Sequence, residues 1–176
     1  LVSDDQPIWT CLATDIAFGP DGALYVSDWV DGWDGLGKAR IYRIENPKHA
    51  GDPVVGEVRQ LLGDDWSMMT TAQLANQLSH QDRRIRLNSQ WELAERGEAD
   101  ALTTIASDST AAGNSRLHAV WGLGHIARLA SEETELGSLK SLLIGLALDP
   151  DVDVSVAALK IAGELGWNEA TRSAQA

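Results

Sequence analysis

The spacing of apolar residues changes partway along the chain, and that change limits the architectures open to it. Up to about residue 66 apolar and polar residues alternate, and from about Thr70 apolar residues recur every three or four positions. Period two is the pattern of a half-buried strand, and period 3.6 that of a helix with one apolar stripe. The chain therefore reads as α+β with segregated parts: an antiparallel sheet and connector over 1–66, then helices over 67–176.

In the first part, Ile16, Phe18 and Leu24, Val26 alternate around Gly19-Pro20-Asp21-Gly22, which is a hairpin signal. A turn-rich stretch, Val30 to Gly37, leads into a third alternating strand, Arg40-Ile41-Tyr42-Arg43-Ile44. Ile8 to Leu12 reads as a short strand or the end of one. Asn46 to Gly56 holds two prolines and two glycines and reads as a loop. Val58 to Leu62 reads as a last outer strand or an extended connector.

In the second part, residues 82–97, 112–127 and 151–166 align at offsets of 30 and 39 residues. Leu87, Leu117 and Val156 then coincide and are expected in the core, as are Leu93, Leu123 and Ala162. Ala94, Gly124 and Gly163 coincide as small residues that let helices approach closely, and Trp91 and Trp121 match Lys160. Each segment follows another helical stripe: Leu74, Ala75, Leu78; then Leu102, Ile105, Ala106; then Leu139, Leu142, Leu143, Leu146. Paired helices repeating every 30 to 40 residues indicate an α-solenoid. Asp82 and Asp153 are expected N-caps, Gly97 and Gly166 the residues just past helix ends, and Pro150 a turn residue. Glu169 to Ala176 reads as a frayed tail or the start of a fourth unit.

The words F-G-P-D-G-A-L-Y-V-S-D-W (18–29) and R-I-Y-R-I (40–44) resemble a late blade of the β-propeller in quinoprotein sugar dehydrogenases of the soluble glucose or sorbosone type. More narrowly, the order of blade then helices resembles the large membrane-bound dehydrogenases of planctomycete-like bacteria, in which HEAT-type repeats follow the propeller. Asp82 and Arg86 have the D-x-x-x-R spacing of a HEAT second helix; the later copies keep Arg116 without the acid, and Asp151 with Ser155 for the arginine. The resemblance implies a partial propeller blade followed by HEAT-like helical hairpins. It implies a parent oxidoreductase of the periplasm or cell envelope that uses pyrroloquinoline quinone, calcium and haem c. The partners it implies are the remaining propeller and a cytochrome c domain.

Charge and cysteine narrow the classes. The formal charge is −12, with 12 acids and 5 bases in residues 1–66 and 14 acids and 9 bases beyond. An acidic surface over both parts argues against nucleic acid, which needs a basic footprint. Cys11 is the only cysteine and reads as a small buried hydrophobe; no disulfide can form within the chain, and no C-x-x-C-H attaches haem. No run of 18 apolar residues and no basic-then-apolar leader occurs, and the chain reads as an internal fragment of a longer protein.

Three residue groups carry candidate chemistry. Asp28, Asp31 and Asp34, with Gly32 and Gly35, offer carboxylates in a glycine-rich loop and invite a calcium reading. Their i, i+3, i+6 spacing differs from an EF-hand loop, and the alternative is a loop whose Asp residues bind their own backbone amides. Lys38 and Arg40 open the third strand; the resemblance implies that basic residues near a propeller axis hold the cofactor's carboxylates, while exposed edge charge is the other reading. Arg43 reads as surface. His118 and His125 lie seven apart on one helix with Trp121 between them, about 10 Å along the axis, too far for one metal. Helix packing and hydrogen bonds between repeats are the favoured reading there, with a partner or haem-edge contact by His118, Trp121 and His125 as the alternative. His80 is expected at a helix end, in favourable contact with its dipole.

No Ser/His/Asp grouping, P-loop or dinucleotide fingerprint appears. Two functions remain: an inactive piece of a quinone-dependent sugar dehydrogenase, or a protein-binding scaffold with no redox role.

Overall fold

The computed structural model describes residues 11–29, 39–130 and 133–167. It is a mixed α/β protein with an open three-stranded antiparallel sheet and seven α-helices among these residues. The chain divides into two compact units, Leu1–Gly63 and Asp64–Ala176.

In the first unit β1 (Ala13–Phe18), β2 (Leu24–Asp28) and β3 (Arg40–Ile44) lie in the order β1-β2-β3. The β1–β2 turn follows from its residues. Gly22 takes φ 75°, the Gly19 N–H donates to the Ala23 carbonyl at 2.8 Å, and the Ala23 N–H donates to Asp21 Oδ1 at 3.2 Å. A Cβ at Gly19 would fall 2.5 Å from the Tyr25 ring, so this turn needs glycine for space as well as for conformation. Ile16 pairs with Val26 and Val26 with Tyr42, which places the three on one face.

Val58 to Leu62 is neither strand nor extended connector. It lies in α1 (Pro53–Gly63), which also takes the end of the expected loop. Val54, Val55, Leu61 and Leu62 are half-buried and Val58 is buried, a 3.6 spacing that runs of β-branched residues obscured. The start signal was present in the sequence: Asp52 Oδ1 accepts the Val54 N–H at 3.1 Å, and Pro53 occupies the first helical position. The reading of Ile8 to Leu12 falls mostly outside the described residues, as do Val30 to Gly37 and Glu169 to Ala176. Leu12 is irregular, though its carbonyl accepts the Trp29 N–H at 3.1 Å.

The second unit opens with a short 3-10 turn, Trp66–Met68, and continues as three helix pairs. These are α2 (Thr71–Gln77) with α3 (Arg83–Glu95), α4 (Ala99–Ser107) with α5 (Gly113–Leu129), and α6 (Glu133–Leu146) with α7 (Val152–Glu164). The second helices also touch in series, α3 against α5 and α5 against α7. Leu74, Leu78, Leu102, Leu143, Val120, Leu123, Val154 and Ala158 meet in one continuous core.

Helix ends follow their local chemistry. Thr70 and Gln73 form a capping box at α2, and Asp82 caps α3 by accepting the Arg84 N–H at 2.8 Å. Asp151 caps α7 in place of Asp153, which instead supplies one of the N–H groups that Asp151 accepts. After α3, Gly97 at φ 71° sits between the bonds Gly97 N–H to Ala94 O and Glu98 N–H to Leu93 O. Gly166 and Trp167 repeat this arrangement after α7, and Pro150 lies in the turn before that helix.

The aligned core register is shifted from expectation. Leu93, Leu123 and Ala162 are fully buried, but Leu87 and Leu117 are half-buried and Val156 is 58% exposed. The inward positions two residues earlier are Ile85, Ser115 and Val154. The Leu87 position lies on the flank of the buried stripe, where Leu117 still packs against the core while Val156 is open. Gly124 does permit close approach: a Cβ there would lie 2.6 Å from Ile161 Cδ1 of α7. Gly163 does not, being exposed with nothing within 4 Å of its would-be Cβ.

Opposite outcomes are expected at these two aligned glycines. Gly124→Ala should lower unfolding free energy by about 1–2 kcal/mol, overpacking outweighing helix propensity. Gly163→Ala should raise it by up to about 1 kcal/mol. Denaturant melts of both variants check the pair. Ser115 is 4% exposed and its hydroxyl has no hydrogen-bond partner. Ser115→Ala should raise stability by up to about 1 kcal/mol in the same assay, since it removes an unsatisfied buried donor.

Candidate functional site

Two clusters hold the polar residues that the fold brings together, one in each unit. In the first unit Asp28 and Arg40 are direct cross-strand partners at the end of β2 and β3. Asp28 is 2% exposed, and its Oδ1 accepts the Leu12 N–H at 2.9 Å. Arg40 is exposed and donates to the Tyr42 hydroxyl at 3.3 Å. That bond, with Asp28 nearby, raises its pKa above the usual arginine value. Both residues line an open depression of about 390 Å³, together with Thr14, Ser27, Trp29 and Ile41. The Thr14 and Ser27 hydroxyls are 2.9 Å apart across β1 and β2.

Asp31, Asp34 and Lys38, the other candidates of this unit, lie outside the described residues. Among the described residues no group of three His, Cys, Asp or Glu is arranged to hold a metal. One Asp28 oxygen already serves the backbone of Leu12, as an Asp closing a strand end does. Cys11 is half-buried, and burial, with Asp28 beside it, raises its thiol pKa away from reactivity. Arg43 is committed to surface pairs, reaching Asp21 at 2.9 Å and Glu45 at 2.5 Å.

In the second unit His118 of α5 is buried, and its Nδ1 lies 2.7 Å from Gln90 Oε1 of α3. The amide oxygen accepts, so the proton resides on Nδ1. Burial, with the Arg86 charge as a lesser cause, lowers the His118 pKa to about 4 and keeps the ring neutral. The Trp121 ring stands edge-on to it, with centroids 5.1 Å apart and planes at 80°. The bond ties adjacent helix pairs. His118 supports Trp121 from beneath, whereas Trp121 is 39% exposed and His125 half-buried. His80 lies just past α2, its N–H donating to the Gln77 carbonyl at 3.1 Å, and its Nδ1 accepts the Asp82 N–H at 2.9 Å in the turn before α3.

Arginines carry the rest of the polar framework. Arg116 is 4% exposed, donates to the Ala106 carbonyl at 3.0 Å and grips both oxygens of Asp149 at 3.0 and 2.5 Å. The Arg116 guanidinium holds the Asp149 carboxyl below its usual range. Arg96 reaches the carbonyls of Met69, Trp66 and Ser67 at 2.7, 3.0 and 3.0 Å and pairs with Glu92. Asp149 and Gln90 escaped the sequence reading. Gln90 stands beside Trp91 on the repeat, a signal that gained meaning only once α5 was seen to lie across α3.

No protein family, curated protein or solved structure matches the chain.

The His118 environment sets a pH dependence. Its folded pKa lies below its unfolded value of about 6.5, so the unfolded chain takes up the proton first. This contribution is complete above about pH 6.5 and should be lost progressively as pH falls towards 4, by at most about 3 kcal/mol. His118→Gln, which keeps an amide donor for Gln90, should flatten that slope in urea melts at stepped pH.

Proposed function

We propose that the chain is a non-catalytic scaffold, in which HEAT-like helical repeats extend one blade of a propeller. The parent is then a quinone-dependent sugar dehydrogenase of the planctomycete type, passing electrons to a cytochrome c in the cell envelope. The observation that carries this reading is the sheet. Ile16 and Phe18 on one face are 60% and 67% exposed, and Ile41 is 73% exposed on the other. Apolar residues open on both faces of the sheet support a reading in which neighbouring blades cover them. Three second helices in series, each closed on a first helix, support the repeat reading.

The resemblance gives pyrroloquinoline quinone, calcium and haem c to the parent. In this chain Asp28 Oδ1 accepts the Leu12 N–H and Arg40 donates to the Tyr42 hydroxyl. The chain's own residues position and connect. A second reading, a protein-binding scaffold without redox partners, is favoured by the exposed rings of Trp91 and Trp121. No helix of the described residues is long and apolar enough to cross a membrane.

The chain incubated with glucose, added pyrroloquinoline quinone, calcium and a dye acceptor should show no turnover; measurable turnover overturns the non-catalytic reading. The coding sequence on either side should specify further blades upstream and a C-x-x-C-H downstream. Unrelated flanks would remove the dehydrogenase reading and leave the scaffold alone.

A further inference from the structure

The outward side of α3, α5 and α7 is ordered in rows across the three helices. Equivalent positions give an apolar row of Leu87, Leu117 and Val156, and one turn on a row of Trp91, Trp121 and Lys160. One turn further lies a row of Glu95, His125 and Glu164. Trp91 is 51%, Trp121 39% and Val156 58% exposed, and Lys160 and Glu95 are exposed. Trp91 and Trp121 leave two large rings open on adjacent helices of one layer.

We propose that this face docks an extended segment of a partner protein carrying a basic side chain between aliphatic ones. The proposal rests on the scaffold reading and names its partner's chemistry. Charge selects the occupant. Residues 64–176 hold 16 acids and 9 bases, a net −7 that draws cationic partners. Indole faces attract a guanidinium or ammonium group, and Glu95 lies one turn beyond Trp91 to receive it. Glu164 of the same row is paired with Arg128 and lies near Lys160, so Glu95 is the acid of that row offered to the partner's cation. Val156, with the open edges of the half-buried Leu87 and Leu117, takes the aliphatic side chains. Lys160 stands where a third tryptophan would continue the row, and its charge confines the cation to the two-ring side. Trp121 is held ready by the His118 edge contact, so little ordering remains for binding.

The test uses the whole chain, a synthetic peptide of alternating leucine and arginine, and its leucine–glutamate counterpart, read by tryptophan fluorescence and calorimetry. The arginine peptide should bind and shift the emission; the glutamate peptide should not. Trp91→Ala with Trp121→Ala should weaken binding about tenfold or more, thermal melts showing the fold retained. Two surface variants keep the test independent of folding. Glu95→Lys should weaken binding several-fold and Lys160→Glu should tighten it, while Asp100→Lys on α4 should change little. Equal weakening by Asp100→Lys means diffuse charge attraction and overturns the site. So does tighter binding of the glutamate peptide, or no binding of either, although the non-catalytic scaffold reading survives those results.

Discussion

In each helix pair a side chain of the second helix reaches carbonyls at the end of the first helix or in the turn between the two. Arg86 donates to the carbonyls of His80 and Gln81 at 2.7 and 2.9 Å, and Arg116 to that of Ala106. Ser155 donates to the Ala147 carbonyl at 2.7 Å. These three residues occupy one position of the repeat. The last carbonyls of a helix have no partner within it, and burying them bare costs on the order of 1–3 kcal/mol each.

The same position explains a departure in the repeat pattern. Serine in the third copy reads from sequence as the loss of an arginine. In the structure it keeps the bond and gives up the reach: Ser155 meets a carbonyl directly at α7, while Arg116 spans from Ala106 to Asp149 and so joins the second pair to the turn of the third. Because Arg116 is buried and bidentate with Asp149, this link is a framework element, unlike the exposed Arg128–Glu164 pair.

Polar groups within the helical layer serve its surface. Gln90 and His118 satisfy each other between pairs, and the neutral ring beneath Trp121 meets that indole edge-on. The pairing was only half legible: the sequence places His118 and Trp121 one turn apart, but the partner amide lies 28 residues away. In the sheet, Asp28 and Arg40 were singled out for separate reasons, and only strand register made them neighbours.

Sequence alone determined the change of period, the hairpin at Gly19–Gly22, the second helices of all three pairs and the glycines that end α3 and α7. These depend on local backbone preference and on spacing, which a linear chain displays. Tertiary structure decided which side of those helices faces inward, that Val58 belongs to a helix, and that Gly124 but not Gly163 meets a neighbour. A stripe of aliphatic residues fits a helix on two adjacent faces almost equally well. Only the packing of α5 between α3 and α7 chose the one holding Val154 over the one holding Val156, because the second face had no helix left to cover it.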